Sequence, residues 1–367
     1  MAKPPPIHHA TARAFRRRLL RWYDQHKREL PWRAVPPARA NPYHVLVSEA
    51  MLQQTQVATV IAYFQRFIAA YPTLGDLAAA EEQQVLHLWQ GLGYYRRARH
   101  LHAAARRIVA DHAGRIPRTA PSLMTLPGVG RYSAGAVASI AFNQPEPVLD
   151  GNVARVLARH RALDQPIDDN ATRKQLWFTA QQLLDPHRPG DFNQALMELG
   201  ALRCLPRKPD CAACPLARSC LAHQRGLSHS LPVRRPRSTP RPVVHAVAAI
   251  QRNGRWLFHQ RPDVGLWASL WQLPTLEADN QDITHHSLAR WVQEQFGLAV
   301  THHGQLAAFK HQTTHRTIQF TAHHFAVRSG RLRPGRGAFR PLNAAGDLPM
   351  ANPHRQLLRM LRPNARD

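Results

Sequence analysis

Acidic residues are scarce in this 367-residue chain: 23 Asp and Glu stand against 49 Lys and Arg, a formal charge of +26. That imbalance implies a polyanionic partner, and nucleic acid is the first candidate. Lysine is scarcer still. Only Lys3, Lys27, Lys174, Lys208 and Lys310 occur, and none falls between 27 and 174. No amine is available in that stretch to form a Schiff base. No run approaches the ~20 apolar residues of a membrane span, so no membrane-spanning helix is expected. The opening MAKPPPIHHA has no apolar core of the kind a leader needs, and a cytoplasmic protein is expected. Cysteines number four, all in one short segment, which excludes a disulfide framework spread through the chain.

What is present is 44% apolar residues in a chain long enough for two or three domains. Residues from about 11 to 225 carry mainly helical periodicity, at 11–23, from Pro42, and at 56–70, 81–89, 96–112, 133–142, 151–161, 171–184 and 191–202. The segment 228–242, SHSLPVRRPRSTPRP, lacks periodicity and reads as an extended linker. Strand patterns follow at 243–250, 255–260, 305–309 and 318–327, with an Asn253-Gly254 turn signal. Helices at 285–296 and 353–361 complete an α+β pattern. The expected domains are 1–227, helical, and 243–367, α+β. Eight of the 23 His lie between 281 and 325, read chiefly as strand and surface positions.

Cys204, Cys211, Cys214 and Cys220 form C-x6-C-x2-C-x5-C, with Pro206, Pro209 and Pro215 suited to a tight loop. The donor chemistry leaves zinc and a 4Fe–4S cluster both open. Leu126-Pro127-Gly128-Val129-Gly130 lies between two helical patterns. Gly128, Val129 and Gly130 leave backbone amides at a helix start, where a phosphate can be held. Asp150 follows twenty residues later in L-D-G-N-V-A-R-V.

The cysteine spacing, the hairpin and the aspartate together resemble the endonuclease III superfamily of helix–hairpin–helix DNA glycosylases. The resemblance implies a 4Fe–4S cluster on the four cysteines, with Arg207, Lys208 and Arg218 forming a basic loop. Cleaving a base from its sugar builds positive charge on the sugar, which Asp150 can stabilise; it can also cap the following helix. The lyases of this superfamily use a lysine just inside the helix after the hairpin, where this chain has Tyr132. Simple hydrolysis is therefore expected. A purine leaving group needs a proton, and Glu49, among apolar helix residues, is a candidate acid with a raised pKa.

Further motifs are S-E-A-M-L-Q-Q-T-Q-V (48–57), G-L-G-Y-Y-R-R-A-R (91–99), L-P-G-V-G-R-Y, L-D-G-N-V-A-R-V and F-N-Q-A-L-M-E-L-G (192–200). With the cysteine loop, they resemble the MutY family of adenine DNA glycosylases over roughly 15–225. The resemblance implies that Glu49 protonates adenine and that Asp150 stabilises the cation, organised by Tyr132 and Asn152. Arg28, Trp32, Arg33, Leu52, Gln53 and Gln194 would line the adenine pocket, and Gln54 and Tyr94 would wedge into the base stack. The substrate implied is double-stranded DNA with adenine opposite 8-oxoguanine or guanine, acted on by a monomer at the bacterial nucleoid. Gly265 to Pro274, G-L-W-A-S-L-W-Q-L-P, resembles the MutT/Nudix-like domain of the same family. Glu294 is the one acid left where a hydrolase would carry its metal ligands, so this domain is expected to bind and not hydrolyse. The family's lesion-reading Phe-Ser-His is replaced by Thr313-Thr314-His315, of which Thr314 and His315 can still hydrogen-bond a base. The fold expected is a mainly α glycosylase module followed by an α+β MutT-like domain. The competing readings are an endonuclease III-like lyase on oxidised pyrimidines, disfavoured by the missing lysine, and a non-catalytic DNA-binding scaffold, which needs neither Glu49 nor Asp150. An RNA-binding protein would satisfy the charge alone.

Overall fold

The structure, a computed structural model, describes residues 7–33, 40–236, 239–279 and 283–361. The first six residues, part of the opening segment expected to carry no leader, and two positions of the expected linker, 237 and 238, lie outside these. In chain order the helices are α1 (His9–His26), α2 (Pro42–Leu52), α3 (Val57–Ala70), α4 (Leu74–Ala79), α5 (Glu82–Trp89), α6 (Arg96–His112) and α7 (Ala120–Leu123). They continue as α8 (Arg131–Phe142), α9 (Gly151–His160), α10 (Asn170–Leu183), α11 (Pro189–Leu202), α12 (Leu221–Gln224), α13 (His285–Phe296) and α14 (Asn352–Leu361). The strands are β1 (Arg241–Arg252), β2 (Arg255–Gln260), β3 (Trp271–Gln272), β4 (Thr275–Ala278), β5 (Leu298–Gln312), β6 (Arg316–Gly330) and β7 (Ala338–Arg340). The chain forms two units, 1–79 with 100–236 and 80–99 with 237–367.

The first unit is helical because its apolar residues recur at helical spacing and its helix starts are chemically marked. Asn41 caps α2, its side chain accepting from the Tyr43 amide, and Pro42 takes the first helical position, where its missing N–H costs nothing. Asp169 caps α10 in the same way. One face of α1 (Phe15, Leu19, Trp22) joins Leu157 of α9, Leu176 of α10 and Phe192 and Leu196 of α11 in a closed core. The segment expected to be an extended linker begins as part of this unit. Leu231 is buried and its carbonyl accepts from Arg159 Nε at 2.7 Å. The Ile167 amide donates to Val233 O at 3.0 Å, and Arg235 pairs with Asp169 at 2.7 Å. Its last residues, Arg241 and Pro242, already belong to β1.

The second unit is a seven-stranded mixed sheet in the order β3-β2-β1-β6-β5, with β4 also on β1 and β7 on β2. The β1–β6 pair is parallel and the other pairs are antiparallel. The period-2 alternation of β1 builds two cores at once. Val243, Val247 and Ala249 face a layer with Leu357 and Leu358 of α14. Ala246, Ala248 and Ile250 face Leu288, Val292 and Phe296 of α13. Asn253 and Gly254 turn β1 into β2 with φ of 50° and 73°, the doubly left-handed backbone of a tight hairpin. Residues 80–99, expected within the helical domain, group with this sheet. Gln83 accepts from Trp271 Nε1 at 3.1 Å, Gln90 accepts from the Met350 amide at 3.0 Å, and Tyr95 donates to Met350 O at 3.0 Å.

Candidate active site

A cavity of about 150 Å³ opens in the first unit, and six of its lining residues are Arg28, Trp32, Arg33, Glu49, Asp150 and Gln194. Leu52, Tyr132 and Asn152 also line it. Gln53 does not: its amide donates to Ser133 Oγ of α8 at 3.3 Å. Glu49 sits on the buried face of α2, 5% exposed, because α2 is apolar almost all round. Its Oε2 has no hydrogen-bond partner among the described residues. Burial pushes its pKa from the usual 4.5 up to about 7, reinforced by Asp150 and opposed by the Tyr132 hydroxyl and Arg33. A carboxyl so placed holds a proton near neutrality and can give it away.

Asp150 serves as the N-cap of α9, as its sequence position suggested. Its Oδ1 accepts from the Val153 amide at 2.7 Å and its Oδ2 from Asn152 Nδ2 at 3.0 Å. Burial raises its pKa, while those two donors and Arg155 pull it back toward the ionised form. Two carboxyls on one cavity thus differ in kind: Glu49 lacks donors on one oxygen, and Asp150 has one on each. Tyr132 stands beside Glu49, its hydroxyl 3.4 Å from Met197 Sδ, and burial holds it well above the ordinary phenol range.

Glu198 received no role from the sequence. It is 2% exposed and grips Arg28 through both oxygens, with Nε–Oε2 and Nη2–Oε1 at 2.9 Å. It also accepts from Arg33 Nη2 at 2.7 Å. Arg33 in turn donates to Gln194 Oε1 at 2.9 Å. The one hint in the sequence is an acid among the apolar residues of α11; the arginines that pair with it, 28 and 33, are remote in sequence. Such a buried carboxylate persists only when paired.

The hairpin expected to hold phosphate lies between α7 and α8. Gly128 has φ +74°, and a Cβ there would stand 2.5 Å from His100 Cβ, so glycine is required twice over. Gly130 caps α8 with no side chain over the first amides, and the space around it is open. Gln54 (φ 60°) is exposed after α2. In the second unit, Tyr94 (φ 49°) is 48% exposed and its hydroxyl lies 2.8 Å from Thr314 Oγ1. Thr314 and His315 are exposed at the β5–β6 turn. Thr313 is not available there, because its hydroxyl closes the turn on Arg316 N and O at 3.1 and 3.2 Å.

The four cysteines are unbridged and partly buried in one loop. Burial raises Cys214 to about 12, and the thiols of Cys204, Cys220 and Cys211 add to the rise. Arg159, 2% exposed, donates to Cys204 Sγ at 3.3 Å and to the carbonyls of Leu205 and Pro206 at 2.7 and 3.0 Å. Asn152 is tied to the same loop, since Arg155 donates to Asn152 Oδ1 at 2.8 Å and to Cys204 O at 2.7 Å. Among the described residues no three His, Cys, Asp or Glu side chains already converge on one point. The loop suits a metal cluster by donor type and by the Arg159 cation beside Cys204. No helix of the described residues is long and apolar enough to cross a membrane.

Comparison with known proteins agrees with these features. Residues 47–182 match the HhH-GPD superfamily base excision DNA repair protein family, and residues 245–360 match the NUDIX domain. An adenine DNA glycosylase of Mus musculus is 42% identical over 350 residues, covering 81% of this chain and 68% of its own. One of Schizosaccharomyces pombe is 35% identical over 381 residues, covering 85% and 81%. The solved structure of a thermostable thymine-DNA glycosylase superposes with a TM-score of 0.53 at 29% identity, over 58% of this chain and 97% of that one. Joined by a MutT-like second unit to a helical unit with two carboxyls on one cavity, the chain belongs to the adenine DNA glycosylases, enzymes of base excision repair.

Proposed function

We propose that the chain hydrolyses adenine from double-stranded DNA where adenine faces 8-oxoguanine or guanine, acting as a monomer in the bacterial cytoplasm. The observation that carries this reading is the pair of unlike carboxyls on one cavity. Glu49 gives its proton to the extruded purine as the bond to the sugar lengthens. Asp150, held by Val153 N and Asn152, meets the cation that develops on the sugar. Water completes the hydrolysis, since no described residue lining the cavity is a lysine. Arg28, Trp32, Arg33, Leu52 and Gln194 hold the base, with Glu198 fixing both guanidiniums.

The amides of Gly128, Val129 and Gly130 grip a phosphate of the strand. Gln54 and Tyr94, both in strained left-handed backbone, fill the gap left by the extruded base. Thr314 and His315 read the opposite base, without an aromatic at 313. Cys204, Cys211, Cys214 and Cys220 would hold a 4Fe–4S cluster, which when bound ties the loop together and takes no part in the bond cleavage. The experiment is a single-turnover assay on duplexes with adenine opposite 8-oxoguanine, guanine or thymine, followed with and without alkali. Alkali-dependent cleavage of the first two duplexes is expected. Strand cleavage without alkali, trapped by borohydride, would instead support a lyase.

A further inference from the structure

The Tyr132 hydroxyl has one hydrogen and two neighbours that can take it. One is the Glu49 carboxyl on α2, within hydrogen-bonding reach. The other is Met197 Sδ on α11, to which the hydroxyl donates across 3.4 Å. A thioether is a weak acceptor. A hydroxyl that turns to sulfur with a carboxyl beside it fits a carboxyl that is protonated and has no use for a second hydrogen. Such a carboxyl needs an acceptor for its own O–H instead. With its hydrogen on Met197, the Tyr132 oxygen offers its lone pairs to that proton. The chain then runs from Glu49 O–H to Tyr132 Oη and from Tyr132 O–H to Met197 Sδ, with each hydrogen satisfied. Ionisation of Glu49 reverses it, and the hydroxyl swings to the carboxylate.

Met197 lines the same cavity as Glu49 and Tyr132, partly buried against the core of the first unit. The charged and titratable groups facing Glu49 are Tyr132 on α8, Asp150 at the start of α9 and Arg33 after α1. Arg28 and Glu198 of α11 also line the cavity. Asp150 and Glu198 are the other acceptors there, and both are occupied: Asp150 by Val153 N and Asn152 Nδ2, Glu198 by Arg28 and Arg33. We propose that Met197 is a positioning residue, taking the Tyr132 hydrogen so that Tyr132 can hold the proton on Glu49 until a purine accepts it. The proposal rests on Glu49 as the acid of the proposed reaction. As the proton passes from the Glu49 oxygen to a purine nitrogen, the hydroxyl hydrogen leaves sulfur for the new carboxylate and meets its charge as it forms. A weak acceptor suits that exchange, because a strong one would keep the hydrogen. Removing Sδ leaves a hydrogen unsatisfied in the protonated state and so favours the ionised one.

The test is a double-mutant cycle of Met197→Leu and Tyr132→Phe in the full-length, iron-loaded chain. The ionisation of Glu49 is followed by infrared difference spectra against Glu49→Gln, and single-turnover adenine release is measured over the same pH range. Met197→Leu keeps the bulk and loses the acceptor. It should lower the Glu49 midpoint by about half a pH unit or more, and the rate at pH 8 by about threefold or more. In the Tyr132→Phe background the same substitution should move neither value. Met197→Ile, equally without an acceptor, takes its place should Met197→Leu fail to fold. A midpoint that ignores Met197→Leu, or one that moves as far without the Tyr132 hydroxyl, overturns the proposal. Full adenine release by Glu49→Gln would overturn the choice of acid itself, and the proposal with it, whatever the infrared midpoint shows.

Discussion

Replacing Glu49 by Gln should destroy activity and raise stability together. The carboxyl is 5% exposed, with Oε2 unpartnered among the described residues, and its pKa is displaced from 4.5 to about 7. A folded-state pKa above the unfolded value means that the folded protein binds the proton more tightly. The favourable contribution is complete below about 4.5 and is lost as pH rises through about 7. The gap corresponds to about 3 kcal/mol by which an ionised Glu49 destabilises the fold at pH 8 relative to pH 4. Glutamine keeps the shape and carries no charge, so the variant escapes that cost. At pH 8 it should melt several degrees above the parent, and the difference should shrink toward zero near pH 5. The same change removes the proton donor, so single-turnover adenine release should fall by roughly a thousandfold or more. In the parent, the rate should decline about tenfold per pH unit above about 7. Paired melts at pH 5 and pH 8, with rates at both, make the measurement. Equal melting temperatures at pH 8, or a difference as large at pH 5 as at pH 8, would refute the buried-acid reasoning.

Asp150→Asn should lose a similar factor in rate while retaining affinity for mispaired duplex; loss of binding with unchanged rate, seen in filter binding and single-turnover assays, would contradict its role. Glu198→Ala leaves the Arg28 and Arg33 guanidiniums without their shared carboxylate and should cost about 3–5 kcal/mol, measured by denaturant unfolding. Binding to undamaged duplex should weaken with salt by a log–log slope of about −0.9 for each phosphate contacted; a flat response would count against backbone-dominated binding.

Local chemistry made much of the fold readable. Pro42 after Asn41, Asp150 before α9 and Asn253-Gly254 between two strands each mark a boundary through their own hydrogen bonds or allowed angles. The short elements α4, α7, β3 and β7 were not readable, because a period cannot show itself in two to six residues. In the site, Glu49 and Asp150 could be named because the reaction needs them. Glu198 could not, because its meaning lies in two arginines more than 160 positions away. Thr313 stands where the resembled family carries Phe, and its own side chain closes the turn, a local bond that the residue type permits but does not announce.

The allotment of residues 80–99 to the sheet unit bears on the order of events at the ribosome. Gln83, Gln90 and Tyr95 leave the tunnel long before Trp271 and Met350, their partners 188 to 260 positions later. At about 5–20 residues per second, these groups wait on the order of ten to fifty seconds for the strands that complete them. Throughout that interval the three hydrogen bonds between these groups stay unmade. Closing so long a loop is entropically costly and slow, and contacts of this separation are the kind that hold back folding rates. These three contacts of 80–99 therefore close only once nearly the whole chain has been made.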